Sequence, residues 1–383
     1  MKNYLRERSR MKIVHITTVH EPFDNRIFYK ECLGMAKKGY KVTLIARHHQ
    51  NETVQGIFIR ALPKVKNRLF RLINTTFNAY KAALLENGDL YHFHDPEFMP
   101  LALLLKIKHR KKIVYDIHED YHSLIKIKTY LPVLLRPIIA NLFYLYEFVF
   151  SKPFVKVLAE RYYMEKFPKG LPVLNYPNSN LLQYAENNIP EDRLNLIYTG
   201  NISIERGAIE HATLVNYFEN VHVYLVGRCS EEVADRIYSL VGSKRERLFI
   251  VGIERFVPFS EIVDYYKWGN WTAGLALFPP NPHYVNKELT KFFEYMSFGI
   301  PVLCSDFPVW KKLIEETGSG LCVKPEDQTG LKSTLNYLFN NRPEAKRMGR
   351  NGRTNIKEHF NWENELAKLE KIYLEMINEK GDQ

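Results

Sequence analysis

Residues 12–46 read "KIVHITTVHEPFDNRIFYKECLGMAKKGYKVTLIA". A β-branched run (12–17), a polar turn, a stretch with helical spacing near 25–38 and a second β-branched run (41–46) follow one another. Strand, helix, strand in this order is a βαβ unit, and its two strands must be parallel because the helix carries the chain back to the starting edge. The same rhythm continues outward through a helix near 67–86, "DLYHFH" (89–94), a helix near 97–108 and "KIVYDI" (112–117). A Pro- and Asn-rich stretch at 171–192 interrupts it. The alternation then restarts with "LNLIYTG" (194–200), "VHVYLVG" (221–227), "RLFIVG" (247–252), "AGLALF" (273–278) and "PVLCS" (301–305). An α/β chain of two doubly wound domains is expected, with parallel sheets that bind ligands beyond their strand carboxyl ends and a cleft between the domains as the site.

The 383 residues exceed one ordinary hydrophobic core, and 45% hydrophobic residues are ample for two. Cys32, Cys229, Cys304 and Cys322 are far apart in sequence, with no C-x-x-C spacing. With no secretory signal before them, they argue against a disulfide framework or a zinc site and for a reducing, cytoplasmic compartment. The net charge of +11 attracts phosphates, nucleic acid or an anionic membrane without choosing among them. Neither G-x-G-x-x-G after the first strand nor a P-loop is present, and no nucleic-acid motif accompanies the charge.

The segment "NKELTKFFEYMSFGIPV" (286–302) carries Glu294 on a stretch where Leu289, Phe292, Phe293 and Met296 follow helical spacing. A helix starting near Thr290 presents free N–H groups, those of Thr290 and Lys291, to an anion. Glu294 lies one turn further in, where a carboxylate can accept two hydroxyl hydrogen bonds, as a ribose diol offers. The alternative is a surface glutamate paired with Lys291.

The pattern Glu294-x-Met296-x-x-Gly299-x-Pro301-Val302 resembles the nucleotide-sugar segment of family 4 glycosyltransferases with the GT-B fold, and the likeness extends along nearly the whole chain. It implies two Rossmann-like domains facing a central cleft: an acceptor-binding domain at 11–171, a linker at 172–192, a donor-binding domain at 193–358 and a C-terminal helix within 359–383 that crosses back to the first domain. "YTGNISIERG" (198–207) resembles the family's G-R-x-x-x-x-K-G loop, with Gly200 retained, Asn201 at the usual Arg and Arg206 at the usual Lys. Arg206 keeps the cation that neutralises the diphosphate as the sugar leaves. Asn286 stands where the family has a first glutamate that contacts the donor sugar; an amide keeps hydroxyl hydrogen bonding and loses a negative charge. His118, in "YDIHEDY" (115–121), resembles the active-site histidine near the anomeric centre.

On the acceptor side, "HEPFDNRIFYKE" (20–31) places Asp24, Asn25 and Arg26 at a helix start, where the family meets the acceptor or the diphosphate; Asp24 can equally be an N-terminal cap. His92 and His94 with Asp95 suggest a metal triad, yet no third ligand has compelling spacing, so no metal is expected and His94 is assigned to scaffolding or acceptor contact.

Two basic and apolar segments suit an anionic bilayer face. In 64–85, Lys64, Lys66, Arg68, Arg71 and Lys81 accompany Leu69, Phe70, Leu72, Ile73 and Phe77; in 131–150, Arg136, Pro137 and Glu147 interrupt an apolar run and favour a buried or interfacial helix over a spanning one. A domain helix with a basic polar side is the rival reading of the first. The resemblance thus implies a retaining transferase that needs no metal or other cofactor. It would move a sugar from a nucleotide diphosphate sugar to a lipid-linked or saccharide acceptor at the inner face of the membrane. An epimerase or phosphorylase on the same architecture, a basic nucleic-acid-binding protein and an inactive scaffold, the last suggested by Asn286, are the competing readings.

Overall fold

The computed structural model describes residues 11–63, 71–128, 131–183 and 187–378. They form two compact units, the first running to Asn175 and resuming at Trp362, the second spanning Tyr176–Asn361.

The first unit is built on an eight-stranded sheet with the order β3-β4-β2-β1-β5-β6-β7-β8. Its strands are β1 (Lys12–Ile16), β2 (Lys41–Arg47), β3 (Glu52–Val54), β4 (Ile57–Leu62), β5 (Leu90–Phe93), β6 (Lys112–Ile117), β7 (Val155–Leu158) and β8 (Leu171–Pro172). Strand order reverses between β1 and β5, so the crevice of this sheet opens beyond those two strands. One pair departs from the expected parallel pattern: β3 and β4 form an antiparallel hairpin. Its two-residue turn, Gln55–Gly56, has φ of 51° and 81°, the left-handed pair that such a turn requires. Gln-Gly is a weaker turn signal than Asn-Gly or Asp-Gly, which is why the hairpin escaped the sequence reading.

The helix expected at 25–38 is two segments, a π-helical stretch at Asn25–Cys32 followed by an α-helix at Leu33–Lys37. The wide π turn starts with both Phe28 and Tyr29 N–H directed at the Asp24 carbonyl, and it turns Arg26, Lys30 and Glu31 inward together. Helices Thr76–Glu86 and Met99–His109 replace the expected 67–86 and 97–108, and Lys64, Lys66 and Arg68 lie outside the described residues.

The helix Trp362–Asn378 completes the core of this unit: Trp362, Leu366, Leu369, Ile372 and Tyr373 pack with Ile27, Phe28, Cys32 and Met35. Gly34 allows the approach, since a methyl group there would lie 2.7 Å from Leu366. Polar contacts fix the docking: Trp362 Nε1 donates to the Lys30 carbonyl at 3.1 Å, Leu174 N–H to Glu365 at 2.9 Å and the Tyr40 hydroxyl to Glu370 at 3.0 Å.

The second unit carries a six-stranded, wholly parallel sheet in the order β11-β10-β9-β12-β13-β14. Its strands are β9 (Leu194–Thr199), β10 (Val221–Cys229), β11 (Leu248–Ile253), β12 (Ala273–Ala276), β13 (Val302–Ser305) and β14 (Gly320–Val323). Order reverses between β9 and β12, which makes the carboxyl end of β9 the crevice of this sheet. Pairing of β13 with β14 brings Cys304 opposite Cys322, with their sulfurs 3.6 Å apart as free thiols. Distance in sequence had hidden that pair.

Candidate functional site

In the second unit, β9 ends at Thr199 and the chain turns at Gly200, whose φ of +103° is strained for any residue with a side chain. A methyl group at Gly200 would lie 3.7 Å from Lys291 Nζ. Gly207, at the other end of the loop, has φ of +77°, and a side chain there would meet the Leu277 carbonyl oxygen at 1.9 Å. Both glycines are therefore demanded by backbone geometry, and the loop they bound carries Arg206, whose charge reaches Lys291 on the helix Thr290–Ser297.

Arg206 Nε donates to the Tyr284 hydroxyl at 3.1 Å. Lys291 is only 8% exposed; its Nζ sits over the Tyr198 ring at 4.0 Å from the centroid and near the Phe278 ring at 5.1 Å. Burial, then the neighbouring Arg206 charge, push the Lys291 amine well below its ordinary range, with Glu294 opposing. Two cations held close together in a poorly solvated place are an arrangement that a polyanion relieves. The Tyr266 hydroxyl donates to Glu294 Oε2 at 2.9 Å and lies 2.6 Å from Thr199 Oγ1, so the threonine hydroxyl must donate to the tyrosine. That chain fixes the Glu294 carboxylate from behind.

The structure thus brings Gly200, Arg206, Lys291 and Glu294 to one end of the sheet. Asn201 and Thr290 are exposed beside them, and Asn201 accepts the Tyr198 hydroxyl through its carbonyl at 2.8 Å. Asn286 is exposed in the turn before the helix. Tyr198, Tyr266, Tyr284 and His211 were missed from sequence. His211 stacks on Tyr198 with centroids 4.6 Å apart and accepts the Leu277 N–H at 2.8 Å. Each supports the site from another element, and only "YTG", quoted for its glycine, held any signal.

In the first unit, His118 follows β6 and its Nε2 lies 2.6 Å from Asp116 Oδ2 and 3.1 Å from His94 Nδ1. Asp24 is the cap its alternative reading described, accepting the Arg26 and Ile27 N–H groups at 2.8 and 2.9 Å. Asn25 is exposed. Arg26 and His94, expected on the acceptor side or, for His94, as scaffolding, are both buried, at 5% and 1% exposure. Arg26 binds Asp116 through two nitrogens at 3.0 Å each, with Glu31 also 3.0 Å from Nε. Burial works against ionisation of Asp116, but the Arg26 and His118 charges outweigh it and hold the carboxyl well below its usual range. Burial and then the Asp116 charge push Glu31 well above. Burial also lowers His15 and His92, and brings His94 down to about 4.

Sequence spacing offered His92 and His94 no third ligand, and the fold places two further candidate ligands beside them. His15 on β1 is the register partner of His92 on β5, so these side chains share a sheet face, and the π-helical segment adds Glu31. The missed signal was a polar residue, His15 or Asp116, inside an otherwise apolar strand.

Residues 25–159 match the family model "Glycosyltransferase Family 4" and residues 290–355 the model "Glycosyl transferases group 1". Solved structures with the same architecture include sucrose-phosphate synthase from Thermosynechococcus elongatus (TM-score 0.74, 16% identity, 96% of this chain and 99% of that one). A glycosyltransferase from Rickettsia africae (0.74, 14%, 97% and 99%) and Anabaena HepE in complex with UDP and glucose (0.71, 12%, 96% and 100%) are similarly related. No curated protein matches the sequence.

Proposed function

We propose, from the premise that this chain belongs to the family 4 glycosyltransferases of the GT-B fold, that it is a retaining hexosyltransferase that builds cell-surface polysaccharide or glycolipid. The observation that carries the donor half of this reading is the grouping of Arg206, Lys291 and Glu294 around Gly200 at the switch point of the second sheet. In this reading the diphosphate rests on Arg206, Lys291 and the N–H groups that open the helix, while Glu294 accepts the ribose hydroxyls. The bond from the anomeric carbon to the diphosphate breaks, the acceptor oxygen bonds to that carbon on the same face, and the acceptor proton passes to the departing phosphate oxygen. Positive charge fixed before the reaction stabilises the leaving group. His118, hydrogen-bonded to Asp116, is assigned the donor-sugar contact that the family resemblance implies.

A panel of nucleotide sugars, scored by thermal stabilisation and then by product stereochemistry, tests the reading. A ligand at a hundred times its dissociation constant adds about 2.7 kcal/mol of stability. An inverted product would refute retention, and an epimerised nucleotide sugar would favour the rival enzyme. For Asn286→Ala, turnover is expected to fall more than nucleoside diphosphate affinity, because the amide faces the sugar; equal loss of both would contradict that placement. Glu294→Ala is expected to weaken diphosphate binding roughly tenfold or more, one charge-assisted hydrogen bond being worth about 1.5–3 kcal/mol. An unchanged affinity would remove Glu294 from the site.

The proposed acceptor is carried by, or made at, an anionic membrane. Among the described residues no helix is long and apolar enough to cross a bilayer. The helix Arg136–Phe150, however, leaves Ile138, Leu142, Leu145 and Phe148 at 39–63% exposure, and Leu134 just before it is 85% exposed. With Lys126, Lys128 and Lys152 flanking this apolar face and +11 on the whole chain, an anionic lipid surface is the partner of matching chemistry. Leu134→Glu with Leu142→Glu is expected to abolish sedimentation with phosphatidylglycerol vesicles and leave donor hydrolysis intact. Sedimentation equal to wild type would exclude this face.

A further inference from the structure

Three imidazoles and a carboxylate from three separate elements converge in the interior of the first unit, at the switch point of its sheet. His15 comes from β1, His92 and His94 from the end of β5, and Glu31 from the π-helical segment; all are 0–1% exposed. Their ligand-type atoms all lie within 4.8 Å of one another. Glu31 Oε2 is 3.7 Å from His15 Nδ1 and 3.9 Å from both His92 Nδ1 and His94 Nε2, while His15 Nδ1 and His94 Nε2 are 3.1 Å apart. Distances of 3.7–3.9 Å are too long for hydrogen bonds. They bracket, with the 3.1 Å pair, the ~3.4 Å that separates two ligands of one tetrahedral zinc ion at 2.0–2.1 Å each.

We propose that His15, His92, His94 and Glu31 form a structural site for a divalent cation of the zinc class. Three imidazole nitrogens and one carboxylate suit zinc rather than calcium or magnesium, which prefer oxygen. Arg26 is shared between Glu31 and Asp116, so a divalent cation beside Glu31 would add counter-charge to a carboxylate pair that solvent does not reach. The outer layer is also in place: His94 Nδ1, the nitrogen opposite the proposed ligand atom, lies 3.3 Å from Asp116 Oδ2, the carboxylate that also orients His118. A carboxylate behind a metal-bound histidine fixes the ring's tautomer and direction. His92 Nδ1 also faces the Tyr373 hydroxyl, and an ion would compete with that hydroxyl for it.

Since every ligand is buried, the ion would have no open position for substrate. It would clamp β1, β5 and the π-helical segment together without taking part in glycosyl transfer. Loading would accompany folding, so the full chain should be produced in zinc-supplemented medium and its metal content measured after exhaustive dialysis. About one zinc per chain is expected, with a melting temperature that drops when the ion is stripped by a chelator under mild denaturation and returns with zinc but not magnesium. Cobalt loaded in its place should give the intense visible absorption of a tetrahedral site, a readout independent of any substitution. Glu31→Gln, which keeps the volume and removes the anionic ligand, should weaken zinc binding at least ~100-fold, more than loss of an outer partner does. A wild-type chain that purifies metal-free, takes up neither zinc nor cobalt on refolding and melts identically with and without chelator would overturn the proposal. It would leave the cluster a network of neutral imidazoles. Zinc retained in full by Glu31→Gln would overturn the ligand assignment.

Discussion

Arg26→Met is expected to destabilise the first unit by about 3–5 kcal/mol, the usual consequence of removing one partner from a buried ion pair. The guanidinium is 5% exposed and meets Asp116 through two nitrogens and Glu31 through one. Without it, the Asp116 carboxylate loses the largest charge that holds it ionised, in a place water does not reach and beside a Glu31 carboxyl already pushed well above its usual range. Arg26→Lys is expected to recover only part of the loss, because an ammonium lacks the planar fork that spans both carboxylates. Hydrogen exchange at the amides of β1, β5 and β6 reads this unit separately from the other. A loss below about 1 kcal/mol, the range of exposed pairs, would show that the pair is solvated in solution.

Lys291→Met should separate binding from stability. The amine is buried over the Tyr198 and Phe278 rings, and its pKa is held well down by burial and by the Arg206 charge. Methionine fills similar volume without that desolvation, so the folded state should be as stable as wild type or more so. Nucleoside diphosphate affinity should nevertheless fall roughly 10- to 150-fold, the equivalent of about 1.5–3 kcal/mol for a charged hydrogen bond. The sign of the pH dependence follows from the same shift. In the free protein the Lys291 pKa is low, and a bound diphosphate raises it, so binding takes up a proton and weakens as pH rises above the free-protein value. Calorimetry in buffers of different ionisation enthalpy measures that proton. Equal affinity of the variant and wild type, or no proton uptake by wild type, would place the diphosphate elsewhere.

The hairpin strand at Glu52–Val54 shows how far local pattern reaches. Glu52 lies on β3, whose pairing with β4 depends on a turn of weak sequence signature, so a reading by periodicity passes over it. By contrast, β1, β2, β5 and β6 were legible because a doubly wound sheet is buried on both faces and each strand must be a β-branched apolar run. Arg206 and Glu294 were legible too, as members of contiguous motifs beside glycines whose positive φ or close approach leaves no other choice of residue.

Legible from the sequence, therefore, is whatever is encoded within one helix or strand and its next turn: the α/β class, the two-part organisation, and the loop at 200–207 and the helix Thr290–Ser297 of the proposed donor site. Where separated polar residues meet is set by packing between elements. Arg26 reads from sequence as an acceptor-side residue at a helix start. The π turn and the docking of the helix Trp362–Asn378 instead place it inside, against Asp116, ninety residues away. His15, Glu31, His92 and His94 likewise become neighbours through the register of β1 with β5. Periodicity reports which face of an element is buried; the distances between faces of different elements are set by sheet order, which no local stretch of sequence contains.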